Sequence, residues 1–129
     1  MYYKASKYYS CKTRAIDGKV FDSGKEARRY EELLLLQKAG KITELQTQVE
    51  YELIPDQHYT YERFGKDGRR LKDGVKLLER SCKYIADFVY TDTETGERIV
   101  EDTKGVKTDA YVIKRKLMLF VHGIRIRET

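Results

Sequence analysis

Lys83-Tyr84-Ile85-Ala86-Asp87-Phe88-Val89-Tyr90 decides the reading of the fold. After Lys83 it is apolar on both faces of an extended chain except at Asp87, the pattern of a central strand. An Asp in such a strand is rarely buried without a partner, because an isolated buried carboxylate is costly. Asp92-Thr93-Glu94-Thr95-Gly96-Glu97 reads as a turn, and Arg98 to Lys104 as the returning strand. If 92 lies opposite 97, Asp87 lies opposite Asp102 on the same face, with Cβ atoms about 4.5–5.5 Å apart. A bulge at Gly96 would favour Glu101 in that place instead.

Working outward, Ser23-Gly24-Lys25-Glu26 opens a helix, with Ser23 as N-cap and Glu26 at the third helical position of a capping box. The helix runs through Ala27, Tyr30, Leu33, Leu34 and Gln37, and Gly40 stops it. Ala15 to Phe21 reads as a short strand or turn around Asp17-Gly18. Leu45 to Ile54 alternates: Leu45, Thr47, Val49, Tyr51 and Leu53 face one way, and Gln46, Gln48, Glu50 and Glu52 the other. Thr108 or Asp109 caps a second helix, Ala110 to Val121, stopped by His122-Gly123, and Ile124 to Arg127 is a last short strand. The expected fold is α/β, an αβββαβ core with a mixed central sheet flanked by helices. One domain spans 15–129, preceded by a basic, Tyr-rich arm at 1–14 and carrying a basic insertion loop at about 56–82, whose glycines at 65, 68 and 74 read as a loop or flexible hairpin.

The chain has 129 residues, 26 Lys or Arg against 21 Asp or Glu, and a net charge of +5. No apolar run approaches the ~18–20 residues of a membrane span, and the N-terminus lacks the apolar stretch of a signal peptide. Cys11 and Cys82 have no CxxC spacing, which excludes a zinc ribbon or disulfide framework and points to a reducing cytoplasm. The arm carries Lys4, Lys7, Lys12 and Arg14 with Tyr2, Tyr3, Tyr8 and Tyr9. Residues 63–83 carry eight cations, Arg69, Arg70, Lys72 and Lys76 among them, against three acids, which equals the whole net charge. Cations interleaved with aromatics suit a polyanion such as nucleic acid.

Asp87 and Asp102, brought together, repel unless a divalent cation lies between them. Lys104 is two residues beyond Asp102 and points the same way. Two acids and a lysine on one surface are what metal-dependent phosphodiester hydrolysis asks for. The acids hold the metal, and the lysine orients water or stabilises charge on phosphorus. Glu26, on the helix face that meets the sheet, is a third candidate acid, although its capping role competes for the same side chain.

A helix acid, then Ala86-Asp87 in a strand, then Asp102-Thr103-Lys104, then a basic helix: this order resembles the PD-(D/E)XK nuclease superfamily. More narrowly, it resembles small phage-encoded, Holliday-junction-resolvase-like endonucleases. Val20 to Tyr30 resembles their first helix, and Tyr84 to Phe88 with Val100 to Gly105 their catalytic strands. The resemblance covers about residues 15–127 and implies Asp87 and Asp102 as metal ligands, Glu26 as the helix acid and Lys104 as the catalytic lysine. Two departures stand out. Ala86 occupies a place where proline is common, and Glu101 beside Asp102 leaves the second ligand open between the two.

The resemblance further implies Mg²⁺, with Mn²⁺ as substitute, and DNA as partner. Lys107, Lys114, Arg115 and Lys116, on or beside the second helix, are candidates to reach the DNA backbone. The expectation is therefore an endonuclease on branched or duplex DNA, acting as a homodimer in the cytoplasm of a phage-infected or prophage-carrying bacterium. The alternatives are a restriction- or transposase-type nuclease that needs partner proteins, and a non-catalytic nucleic-acid-binding module.

Overall fold

The computed structural model describes residues 12–15 and 17–129; most of the basic arm lies outside the described residues. Two short strands, β1 (Thr13–Arg14) and β2 (Val20–Phe21), pair antiparallel, so the end of the arm is part of the fold. Helix α1 (Gly24–Lys38) follows, then β3 (Ile42–Ile54), β4 (Gln57–Phe64), β5 (Arg70–Glu79), β6 (Cys82–Asp92), β7 (Arg98–Asp102), helix α2 (Asp109–His122) and β8 (Arg127–Glu128). The main sheet has the order β3-β6-β7-β8, antiparallel except where β8 joins β7 in parallel. It is an α/β fold with a mixed sheet. No helix among the described residues is long and apolar enough to cross a membrane.

Local chemistry sets the helix limits. The Ser23 hydroxyl accepts the Glu26 N–H at 3.2 Å and starts α1. Gly40, at φ 77, ends it in the left-handed region that a side chain disfavours. Thr108 caps α2 by accepting the Tyr111 N–H. Gly123, at φ 67, closes α2, with its N–H on the Leu119 carbonyl and that of Ile124 on the Met118 carbonyl.

The helices cover opposite faces of the sheet. Ala27, Tyr30 and Leu33 of α1 pack with Phe21, Phe88, Tyr90 and Ile99. Tyr111 and Met118 of α2 pack with Leu53, Tyr84, Ala86, Val89, Val100 and Ile126. Each large apolar side chain so buried contributes about 1.5–3 kcal/mol.

The strands do not keep one side chain period along their whole length. Tyr84 and Ala86 belong to the α2-side core, yet Phe88 and Tyr90 belong to the α1-side core. On β3, Leu45 packs on the α1 side while Val49, Tyr51 and Leu53 pack on the α2 side. Burial alternates along β3 as expected, but its inward residues do not all meet the same core. Thr47 pairs with Phe88 and Val49 with Ala86, which sets Gln48 across from Asp87. Gln48 has φ 53, a strained value for a residue with a side chain. The side change therefore falls at Asp87.

The expected insertion at 56–82 is a hairpin rather than a loop: β4 and β5 form an antiparallel ribbon closed by the turn at Gly65–Arg69. With β1, β2 and the ribbon set apart, the remaining order is helix, three strands, helix, strand. The last strand is shorter than expected, since only Arg127 and Glu128 pair with β7.

Candidate active site

The β6–β7 register puts Phe88 opposite Glu101 and Val89 opposite Val100, without the one-residue slip. One step further along the same ladder, Asp87 faces Asp102. Asp92 closes the hairpin, its N–H bonding the Glu97 carbonyl and its carbonyl accepting from Gly96. Asp87 is 8% exposed and Asp102 0%, both buried on neighbouring strands. The Thr103 N–H donates to Asp87 Oδ2 at 2.9 Å. The Tyr84 hydroxyl donates to Asp102 Oδ2. Lys104 Nζ lies 3.4 Å from Asp102 Oδ1, and its ammonium sits 4.9 Å from the Tyr111 ring centroid.

Burial, and then the neighbouring Asp102 carboxylate, push the Asp87 carboxyl up to about 7. Burial, with Asp22 and Asp102 adding to it, also raises Glu26, while Lys104 offsets part of the effect. Glu26 thus feels the same group of charges as Asp87. The reciprocal half of its capping box does not form: among the described residues its carboxylate takes no hydrogen bond, although Ser23 caps its N–H. Glu26, Asp87, Asp102 and Lys104 are therefore brought to one neighbourhood, with Glu26 at its edge.

Glu101 is placed differently. It is 0% exposed and belongs to the α1 side. Arg29 donates from Nε to Oε2 at 2.7 Å and from Nη2 to Oε1 at 2.8 Å, and the Tyr90 hydroxyl donates to Oε1 at 2.8 Å. This is a bidentate arrangement, and Arg29 also holds the exposed Glu32 at 2.9 Å. Of the two neighbouring acids, Asp102 alone faces Asp87, so Glu101 leaves the expected ligand set.

A metal site must also fit physically. Among the described residues, no three or more His, Cys, Asp or Glu side chains are placed to hold a metal ion together. Mg²⁺ does not need one, since it binds by one or two carboxylates and keeps waters that substrate phosphate oxygens replace. Asp102 Oδ1 is buried with no hydrogen-bond partner. An orphaned lone pair beside a second desolvated carboxylate is a donor set for such a cation.

The expected DNA-contacting residues divide. Lys107 and Arg115 both reach Glu128, at 2.7 and 2.8 Å, and the Arg115 guanidinium also lies over Tyr111. Both are thus tied to Glu128 within the fold. Lys114 is half-buried and Lys116 exposed. Lys107, Arg115, Lys116, Arg125 and Arg127 line an open groove of about 770 Å³ beside β8 that does not contain Asp87 or Asp102. Arg69, Arg70, Lys72 and Lys76 are all exposed on the ribbon or its turn, away from the acidic pair in the chain. Arg70 pairs with Asp73 at 3.4 Å and Glu62 at 3.8 Å.

Sequence reasoning missed Tyr84, Arg29 and Tyr111. A buried Tyr needs a partner for its hydroxyl, which is the one signal that pointed to Tyr84. Arg29 lies three residues after Glu26 on the same helix, close enough to share its face. Nothing in the sequence reveals Tyr111 as the platform for Lys104.

No curated protein and no solved structure matches the chain. One family model does, over residues 5–125, and its description is "Protein of unknown function (DUF1064)". That match spans most of the sequence, and the chain belongs to the DUF1064 family.

Proposed function

We propose that this protein is a Mg²⁺-dependent DNA endonuclease of the PD-(D/E)XK type, acting on branched DNA. The observation that carries the reading is the desolvated pair Asp87 and Asp102, with Asp102 Oδ1 taking no hydrogen bond and meeting only the Lys104 ammonium at 3.4 Å. A purely structural pair of buried acids would be expected to have each oxygen satisfied, as Glu101 does. The element order, with the ribbon set apart, supports the same superfamily.

Asp87 and Asp102 would hold the ion, with Glu26 within electrostatic reach. When bound, Mg²⁺ supplies Lewis acidity and lowers the pKa of a coordinated water. Lys104 holds a positive charge where negative charge develops on the phosphate, and its position over Tyr111 limits its freedom. Tyr84 fixes the Asp102 carboxylate through Oδ2, and Oδ1 is turned to the Lys104 ammonium at 3.4 Å. Thr103 fixes Asp87 in the same way through its N–H. Water attacks phosphorus, the bond to the leaving oxygen breaks, and that oxygen takes a proton. No covalent enzyme intermediate is needed.

The test compares wild type with Asp87→Asn on a labelled four-way junction and a matching linear duplex, with Mg²⁺ and with EDTA, following binding in the same samples. Wild type is expected to cut only with Mg²⁺ and to prefer the junction, while Asp87→Asn binds without cutting. Binding with no cleavage of either DNA in Mg²⁺ or Mn²⁺ refutes the enzyme.

A further inference from the structure

Strands β4 and β5 pair only with each other, and on them only Gly74 is buried. One face of this ribbon combines rings and cations. Tyr59 and Tyr61 have ring centroids 6.3 Å apart, and Lys76 Nζ lies 5.1 Å from the Tyr61 ring. Gly74 makes this possible, because a Cβ there would sit 2.2 Å from the Tyr61 ring. The register shifts between Tyr61, opposite Gly74, and Arg63, opposite Leu71; the extra residue lies on β5, so β4 keeps its alternation and Arg63 shares the Tyr61 face. Among the described residues, neither Arg63 nor Lys76 forms an ion pair, whereas Arg70 is held by Glu62 and Asp73. The opposite face carries His58, Thr60 and Phe64 against Leu77, Val75 and Arg70, and its arginine is the one already held by Glu62 and Asp73.

The register sets the distance to the acidic pair. The ribbon is rooted where the β3–β6 ladder ends, at Ile54 and Cys82. Asp87 is five residues along β6, about 17 Å. A turn of duplex DNA rises about 34 Å, so the root lies roughly half a turn from the candidate site. The eight residues of β4 extend the reach by up to about 26 Å. Cations without partners, spaced by flat rings, match a sugar–phosphate backbone in charge and in shape.

We propose that the Tyr59, Tyr61, Arg63 and Lys76 face of the ribbon is a second DNA-binding surface, holding the duplex flank half a helical turn or more from the phosphate at Asp87 and Asp102. The proposal rests on the reading of the protein as one that acts on DNA. It deepens that reading by requiring a substrate with a duplex arm long enough to reach the ribbon.

The experiment measures binding by fluorescence anisotropy in EDTA, where no cutting occurs, across a salt series. The duplexes are about 8 and about 24 base pairs, below and above the length that spans site and ribbon. Wild type should bind the longer duplex more tightly and with the steeper salt dependence. Arg63→Gln/Lys76→Gln should bind it about 10-fold more weakly, with the slope of log affinity against log salt reduced by about two. Arg63→Lys/Lys76→Arg should restore the slope. Circular dichroism checks the fold, and sedimentation the oligomeric state. An unchanged slope on the longer duplex overturns the proposal. So does a variant that loses self-association while keeping its DNA slope, which would assign the face to a second copy of the chain. Cleavage in Mg²⁺ is scored separately: a ribbon-dependent slope without cleavage sinks the nuclease and leaves the ribbon, and the reverse result does the opposite.

Discussion

Glu101 and Asp102 are neighbours on β7, both 0% exposed, and they face opposite sides of the sheet. On the α1 side Glu101 meets a two-pronged Arg29 and the Tyr90 hydroxyl. On the other side Asp102 meets one tyrosine hydroxyl, a lysine at 3.4 Å and a second carboxylate. In the first arrangement every Glu101 oxygen is hydrogen-bonded, and breaking it costs stability. The second sets two desolvated carboxylates against one lysine, and their mutual repulsion is destabilising. Burial alone does not separate a structural acid from a functional one; the satisfaction of its oxygens does.

The largest expected effect is on catalysis. Asp102→Asn should lower Mg²⁺-dependent cleavage by about 10²–10³-fold, the range for losing a key electrostatic group. Single-turnover rates on the junction measure it, and equal rates for wild type and variant would erase the contrast with Glu101. Next in size is Glu101→Gln, which leaves Arg29 with only the exposed Glu32 as an ionic partner. It should destabilise the fold by about 3 kcal/mol in chemical denaturation. A loss under about 0.5 kcal/mol, ordinary for a surface change, would make Glu101 no more structural than its neighbour.

The pH dependence sharpens the same comparison. The Asp87 carboxyl is raised from 3.8 to about 7 in the folded protein. Between those values the folded state holds a proton that the unfolded chain has released. Metal-free stability contributed by this group is therefore full below about pH 4 and falls as pH rises towards 7. Asp87→Asn should flatten that fall and be more stable than metal-free wild type at pH 8. Thermal unfolding in EDTA from pH 4 to 8 reads both, and parallel curves would mean that Asp87 carries no such strain. The smallest effect concerns the cap. Ser23→Ala should cost about 1 kcal/mol, whereas Glu26→Gln should change stability by less than that, because its carboxylate does not complete the capping box. Denaturation midpoints of the two variants decide whether Glu26 belongs to the helix end or to the acidic group.

Much of the sheet was legible because its constraints are local. Asp87 inside an apolar strand and the turn from Asp92 to Glu97 together predict the Asp87–Asp102 apposition, and the β6–β7 ladder agrees. Ser23, Gly40, Thr108 and Gly123 likewise mark the helix ends where they fall. The ribbon was legible only as a loop or flexible hairpin, of which the structure shows the hairpin. Its side chains face solvent on both sides, so no buried alternation marks where its strands begin and end. The side change at Gln48 was hidden too, because a left-handed backbone at a non-glycine residue leaves no mark in sequence. The separate fates of Glu101 and Asp102 depend on which helix each faces, a tertiary property that Arg29 alone hinted at.

The most direct test of the acidic pair as a metal site is thermal unfolding at pH 8 under Mg²⁺ titration, with junction cleavage followed in the same samples. Wild type should start low, rise with Mg²⁺ by about 2.7 kcal/mol at a hundredfold excess over its dissociation constant, and cut over the same range. Asp87→Asn should start higher, fail to respond and fail to cut. A wild type that neither stabilises nor cuts with Mg²⁺ or Mn²⁺ contradicts the account, and Asp87 with Asp102 would then be a strained structural pair.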